Sequence, residues 1–494
     1  NLYWYNYWSS PVGQQAVTNN TNTDFSIDML KDGSQFIQFT SDLSPNPTTT
    51  NPVTISNQWL YKFQNGVTYY AWERLTESSL IEPGVGYTQK GSSVLDGEKQ
   101  YTFEGKPHNG TILLNAIDTG GPGNVEDVSL TTYLVGNPYP SALDARQFIA
   151  DNSSVIGGTL LLWEQWAGRS HFLADYEGGY GFINNLTTER AYQYPGIPIA
   201  DQVQTQGIKK PTFYIPVGQG FFVEVENDGN IEFNNGQRVF VKESDVLADQ
   251  EDVNYADNGS SFFRTSGTNN SESGTEDTAS ETQILRMEFG VSSGASRSFV
   301  LGFTPDATDG YDYGLDGGLI TDPPADDMGS LLNGQQYVIQ AFAPYTSDKE
   351  IDLVLHASGN FTYTLRSTEI SNFPVDQDLF VKDLLTGQNY DLRSTEPYNF
   401  TSIAGSFTDR FKVVFQDPST LSNEEFTADN TLIYVNQPED KLYVKQLNEQ
   451  AQELSISNML GQKIKSFNSV DNQSLEDGID ISDLNSGIYI VSIK

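Results

Sequence analysis

The sequence predicts an all-β chain made of several β-sandwich domains, on three observations. Short apolar or alternating runs are separated by clusters of Gly, Asn, Asp, Pro and Ser, the punctuation of strands and tight turns. Period-two alternation is explicit in Phe361-Thr362-Tyr363-Thr364-Leu365, in Phe299, Leu301 and Phe303, and in Phe411, Val413 and Phe415, which places each set on one strand face. Helical periods are scarce. Pro140–Ile149 reads as a short helix entered at Ser141 as N-cap.

In chain order, residues 1–264 form a β-rich domain with a weak internal duplication. Tyr7-Trp8-Ser9-Ser10-Pro11 is echoed by Gly136-Asn137-Pro138-Tyr139-Pro140. Pro83-Gly84-Val85-Gly86-Tyr87 is echoed by Pro216-Val217-Gly218-Gln219-Gly220-Phe221, and Tyr101-Thr102-Phe103-Glu104-Gly105 by Ile231-Glu232-Phe233-Asn234-Asn235-Gly236. The echoes keep one order and a nearly constant offset, as a repeated β unit requires. Residues 265–282, almost all Ser, Thr, Glu, Gly and Asn, read as a linker or mobile loop. A β-sandwich domain follows over 283–417, then a polar joint over 418–430 and a small β domain over 431–494. The length of 494 residues suits this division.

Composition removes several function classes. The 65 acidic and 27 basic residues give a net charge of −38. Nucleic-acid binding needs a basic footprint, and anionic lipid surfaces need cations too. The absence of cysteine excludes disulfides, thiolate zinc sites and cysteine nucleophiles. No run of 18 apolar residues suggests a transmembrane helix. The chain opens at Asn1 on what reads as mid-strand, so a longer precursor is expected, with any signal peptide upstream.

The candidate chemistry is sparse. Asp306, Asp309, Asp312 and Asp316, interleaved with Gly, could converge on one Ca²⁺; the alternative is an acidic turn whose carboxylates cap backbone N–H groups. The loop lacks EF-hand spacing. Gly290-Val291-Ser292-Ser293-Gly294 fits the nucleophile-elbow pattern, but loop and strand follow it where an elbow needs a helix, so Ser292 is read as a hairpin residue. His108, His171 and His356 are isolated in sequence. All six tryptophans lie before residue 167, where they either fill a β core or grip a sugar or protein ligand.

The C-terminal segment is the most specific. Leu432–Val435 and Lys441–Val444 read as strands, and Glu453–Ile464 reads as strand, tight turn at Gly461, strand. The last strand, Ile488–Ile493, follows Gly487 and is apolar on both faces. Asn458-Met459-Leu460-Gly461, then Leu484-Asn485-Ser486-Gly487-Ile488-Tyr489-Ile490-Val491-Ser492-Ile493 and the basic Lys494, closely resemble the type A C-terminal sorting domain of cargo exported by the Bacteroidota type IX secretion system. The resemblance implies a small Ig-like β-sandwich. It also implies passage through periplasm and outer membrane, recognition by an outer-membrane shuttle barrel and translocon, and release or anchoring at the surface. Gly461, Gly487, Tyr489, Val491, Ile493 and Lys494 are the expected partner-binding residues. A softer resemblance, through Tyr7–Val12, Gly136–Ser141, Gly218–Val223, Ala307–Asp312 and Phe400–Phe411, is to large surface proteins of the same bacteria, gliding-motility adhesins among them. The resulting expectation is a non-enzymatic, adhesin-like surface cargo that serves attachment or gliding through a glycan or protein ligand. The alternative is a secreted carbohydrate-binding or carbohydrate-active protein with any catalytic domain upstream of Asn1.

Overall fold

The computed structural model describes residues 2–14, 21–45, 52–92, 100–121, 130–168, 170–194, 207, 209–241, 282–417, 432–436, 439–447, 450–458, 462–484, 487 and 489–493. Strand accounts for 49% and helix for 7%, so the chain is all-β. The expected polar joints, 265–282 and 418–430, lie outside the described residues except for Thr282.

The duplication is built into the strand order. In the first repeat the strands are β1 (Tyr5–Trp8), β2 (Tyr61–Phe63), β3 (Trp72–Arg74) and β4 (Tyr87–Lys90). The second has β5 (Thr132–Gly136), β6 (Ile156–Ala167), β7 (Glu177–Ile183) and β8 (Gly220–Val225). The first sheet runs β1-β4-β2-β3 and the second β5-β8-β6-β7, extended by Thr188–Glu189. First strand therefore pairs with last in both. The third echo does not match: Ile231–Phe233 lies in a strand paired with Ile112–Ala116, whereas Thr102 forms an isolated bridge with Lys31. The residues that follow it do correspond: Lys106–Pro107 pairs with Val12–Gly13 just after Pro11, and Arg238–Val239 pairs with Ala142–Leu143 just after Pro140.

The repeats join reciprocally. Ser9 N–H donates to Gly218 O at 2.7 Å, and Gly136 N–H donates to Gly84 O at 2.9 Å. Gly84 and Gly218 both have positive φ, at 90° and 72°, which L-residues with a Cβ rarely adopt. Two residues on, a Cβ on Gly86 would lie 2.7 Å from Val135 O, and one on Gly220 would lie 2.9 Å from Tyr7 C. Small residues are thus required where each repeat presses its last strand against the other's first.

The expected helix starts later than Ser141. It spans Ala145–Asp151, with Asp144 as N-cap: its Oδ1 accepts from Arg146 N–H at 3.0 Å. Ala142–Asp144 is instead held as a strand by two neighbours, and Ser141 Oγ accepts from Arg238 Nε.

Residues 283–417 form one long sheet, ordered from Gln388–Asp391 at one end to Tyr398–Thr401 at the other. It curls around a core that includes Phe289, Phe299, Phe303, Leu353, Tyr363 and Phe411. The curl brings its end strands together, so that Tyr398 OH donates to Asp383 at 3.1 Å. Where the sequence separates 1–264 from 283–417, the structure has one compact unit, Asn1–Asp417. The reason is a shared core and buried pairing. Leu161, Phe182 and Phe222 pack with Val300, Val338 and Ile339. Arg286 is ion-paired with the buried Glu189, and Gln193 and Ser296 exchange backbone hydrogen bonds at 2.9 Å.

The second unit is Pro418–Lys494. Its two three-stranded sheets are ordered Leu432–Asn436, Lys441–Lys445, Ile479–Asp480 and Lys463–Asn468, Glu453–Asn458, Tyr489–Ile493. They enclose Leu442, Val444, Leu454, Ile456 and Leu475. Leu475 comes from a one-and-a-half-turn helix, Asn472–Asp477, capped by Asp471 accepting from Ser474 N–H, which the strand pattern of the sequence did not signal.

Candidate functional site

The first unit holds a cleft of about 1850 Å³. Period-two alternation puts Tyr5 and Tyr7 of β1, Tyr61 and Phe63 of β2, and Trp72 of β3 on its wall. The second repeat adds Trp163 of β6, Tyr180 of β7 and Phe222 of β8. The long sheet contributes Leu331, Asn333 to Gln336, Val354, His356 and Ser406. Asn333 and Gly334, with φ of 51° and 83°, form the two-residue turn between Asp327–Leu332 and Gln335–Phe342.

The deep rings are locked against one another. Trp72 meets Phe63 edge-on at 4.9 Å, Trp163 meets Tyr180 at 5.1 Å, and Tyr7 OH is 2.9 Å from Tyr180 OH. The outer rings are not locked: Tyr69 is 60% and Tyr70 91% exposed. Two polar atoms at the cleft have no hydrogen-bond partner among the described residues, Trp163 Nε1 and Gln336 Oε1. Gln336 is only 6% exposed, and its Nε2 is spent on Asp327 at 3.0 Å. That carboxylate is also bidentate with Arg297 at 2.8 Å, which fixes the amide.

At one end, Lys90 lies behind the lining at 1% exposure, its Nζ 3.8 Å from the Trp59 ring centre and 4.6 Å from that of Tyr5. Burial lowers its pKa to about 7, while the ring faces favour the cation. Nζ lies 3.0 Å from Nδ1 of His171, which stacks on Trp59. Burial first, and then the Lys90 charge, hold His171 down to about 4. His356, also at the cleft and 2.9 Å from Ser406 Oγ, is lowered by burial. His108 is elsewhere, between the carbonyls of Thr23 and Pro138. The six tryptophans divide: Trp59, Trp72 and Trp163 line the cleft, whereas Trp8 packs on the main core, Trp166 is buried and Trp4 donates its Nε1–H to Gly168 O at 3.0 Å. Sequence reading passed over Tyr61, Tyr69, Tyr70 and Gln336. The alternating aromatics of Tyr3-Trp4-Tyr5-Asn6-Tyr7-Trp8 were the available signal, since an aromatic on both faces of one strand leaves one set outside the core.

The acidic loop does not gather. Asp309 pairs with Lys349; Asp312 accepts from Thr308 N–H at 2.6 Å; Asp316 accepts from Asp312 N–H at 2.7 Å and Ala341 N–H at 2.6 Å. Asp306 stands apart from these bonds at the loop's start, where its own N–H meets Thr304 Oγ1. Among the described residues no group of three or more His, Asp or Glu side chains is arranged to hold a metal, so the convergence expected for Ca²⁺ is replaced by backbone capping. Ser292 sits in the hairpin between Gln283–Val291 and Ser296–Phe303, its N–H donating to Thr362 O.

In the second unit, Tyr489, Val491 and Ile493 share one strand face as alternation demands, but that face is half-buried against the unit's own core. They pack against that core while the strand pairs, among the described residues, with Glu453–Asn458. The exposed residues of the strand are Ile490, at 52%, and Ser492. Gly487 is exposed at a bend, and Gly461 and Lys494 lie outside the described residues.

Two family models match the chain: "Domain of unknown function (DUF8693)" over residues 1–415 and "Secretion system C-terminal sorting domain" over residues 433–494. No curated protein and no solved structure matches it. The second match agrees with the resemblance read from Asn458–Gly461 and Leu484–Lys494. The type IX system therefore exports the chain to the cell surface or medium, and its C-terminal unit engages that machinery. No helix among the described residues is long and apolar enough to cross a membrane.

Proposed function

From the premise that the chain belongs to the DUF8693 family and carries a type IX sorting domain, we propose that it is an adhesin-like surface protein, with unit Asn1–Asp417 as the ligand-holding part and the C-terminal unit as the address. The observation that carries this reading is the aromatic cleft, a large concavity whose outer tyrosines are left unpacked at a cost in exposed apolar area. Binding is favoured over hydrolysis because, among the described residues, the lining has a single carboxylate, Asp322, where glycoside cleavage ordinarily takes two.

The test uses the native host. A strain lacking the gene is complemented with the intact protein or with the Tyr69→Ala/Tyr70→Ala double variant. Both are expected at the surface in equal amount, with attachment to the substratum restored by the first and reduced by at least half in the second. Equal attachment by the two would remove the cleft from the contact, and unimpaired attachment by the deletion strain would remove adhesion itself.

A further inference from the structure

We propose that the cleft holds an uncharged oligosaccharide, laid against the tyrosine rim. This rests on the ligand-binding reading of the same cleft and narrows it to one chemistry.

Size is the first argument. Drug-sized ligands fill pockets of about 300–1,000 Å³. At about 1850 Å³ the cleft is a trough for a chain of several rings. Charge is the second. Among the described residues its lining contains no Lys or Arg and one carboxylate, Asp322, and His171 and His356 are held neutral near pH 7. With a net charge of −38 behind it, this surface repels polyanions and offers no ion pair to anchor one. A cation is poorly served as well: the ring faces at the Trp59 end already carry the protein's own Lys90.

Polar complementarity is the third. The hydroxyls of Thr68, Thr321 and Thr408 lie along the lining. A sugar hydroxyl both donates and accepts, so it can meet them in either sense. Flat tyrosine faces match the C–H faces of pyranose rings, which are apolar while their edges are polar.

The intact chain is tested on an array holding neutral glucans, mannans, galactans and xyloglucan fragments beside sulfated and uronic-acid glycans and Tyr-rich peptides. The comparison variants are Tyr69→Ala and Tyr70→Ala, each checked for an unchanged melting transition; both side chains are exposed, so neither truncation empties the core. At least one neutral class is expected to bind, with the affinity unchanged between 50 mM and 500 mM salt. Each variant should weaken it about fivefold. If an anionic glycan or a peptide binds best and the variants still weaken it, the sugar class is wrong and the cleft remains the site. If no neutral glycan is held above the anionic ones, the proposal is overturned. If a neutral glycan binds and both folded variants hold it as tightly as the parent, it lies elsewhere, and the cleft reading falls too.

Discussion

At the scale of single residues, Glu224 of β8 has the clearest energetic signature. Burial, then Glu226, then Asp118 push its carboxyl up to about 7. An unfolded glutamate titrates near about 4.3, so between these values the folded state holds the extra proton. Stability from this group therefore falls as pH rises from about 4.3 to about 7 and is not regained above. Glu224→Gln is expected to raise the melting temperature at pH 8 and leave it unchanged at pH 4.5; the same shift at both values would mean that packing, not charge, was altered. Legibility at this scale was uneven. The Gly-x-Gly turns at 84–86 and 218–220 could be read because glycine's need is local. The cleft could not, because Tyr61, Trp163 and Gln336 reach it from strands about 100 and 170 residues apart, and spacing alone does not report such a meeting.

At the scale of elements, the rolled sheet depends on Asp383 of strand Phe380–Asp383. Its side chain is fully buried, accepting from Arg410 Nη2 at 2.9 Å, Tyr398 OH at 3.1 Å and Leu385 N–H at 3.0 Å. Opposite charge and hydrogen bonds hold the carboxyl below its usual range despite burial. Removing one partner of such a pair leaves the other buried and uncompensated. Asp383→Ala is thus expected to cost about 3–5 kcal/mol in denaturant unfolding, whereas a loss under about 1 kcal/mol would show that Arg410 finds water. The strands themselves were legible wherever one face was buried, as in Phe411, Val413 and Phe415. Faces were harder: Tyr489, Val491 and Ile493 were correctly grouped, yet alternation says which residues share a side and not whether that side is core or display. The helix at Ala145 was displaced because pairing on both sides of Ala142–Asp144 overrode the local cap at Ser141.

At the scale of the molecule, the division at Asp417 separates passenger from address. Residues 431–494, fused to an unrelated folded protein with a signal peptide, are expected to carry it to the surface. Retention of the fusion in the periplasm while the intact protein is exported would place part of the address upstream. The joint at 418–430 was legible from composition, but the union of 1–241 with 282–417 was not: Val300, Val338 and Ile339 look like any strand core until Leu161 and Phe222 pack on them. The reciprocal bonds Ser9–Gly218 and Gly136–Gly84 have a temporal consequence. A chain threaded N-terminus first across the inner membrane delivers the first repeat long before Gly218 emerges. Its seam must wait in two stages, Gly84 until Gly136 follows and Ser9, beside Trp8, until Gly218 does. The periplasm thus receives a half-built protein whose exposed edge fits a second copy of itself as well as its own missing half, so translocation speed sets the balance between one folded chain and two entangled ones.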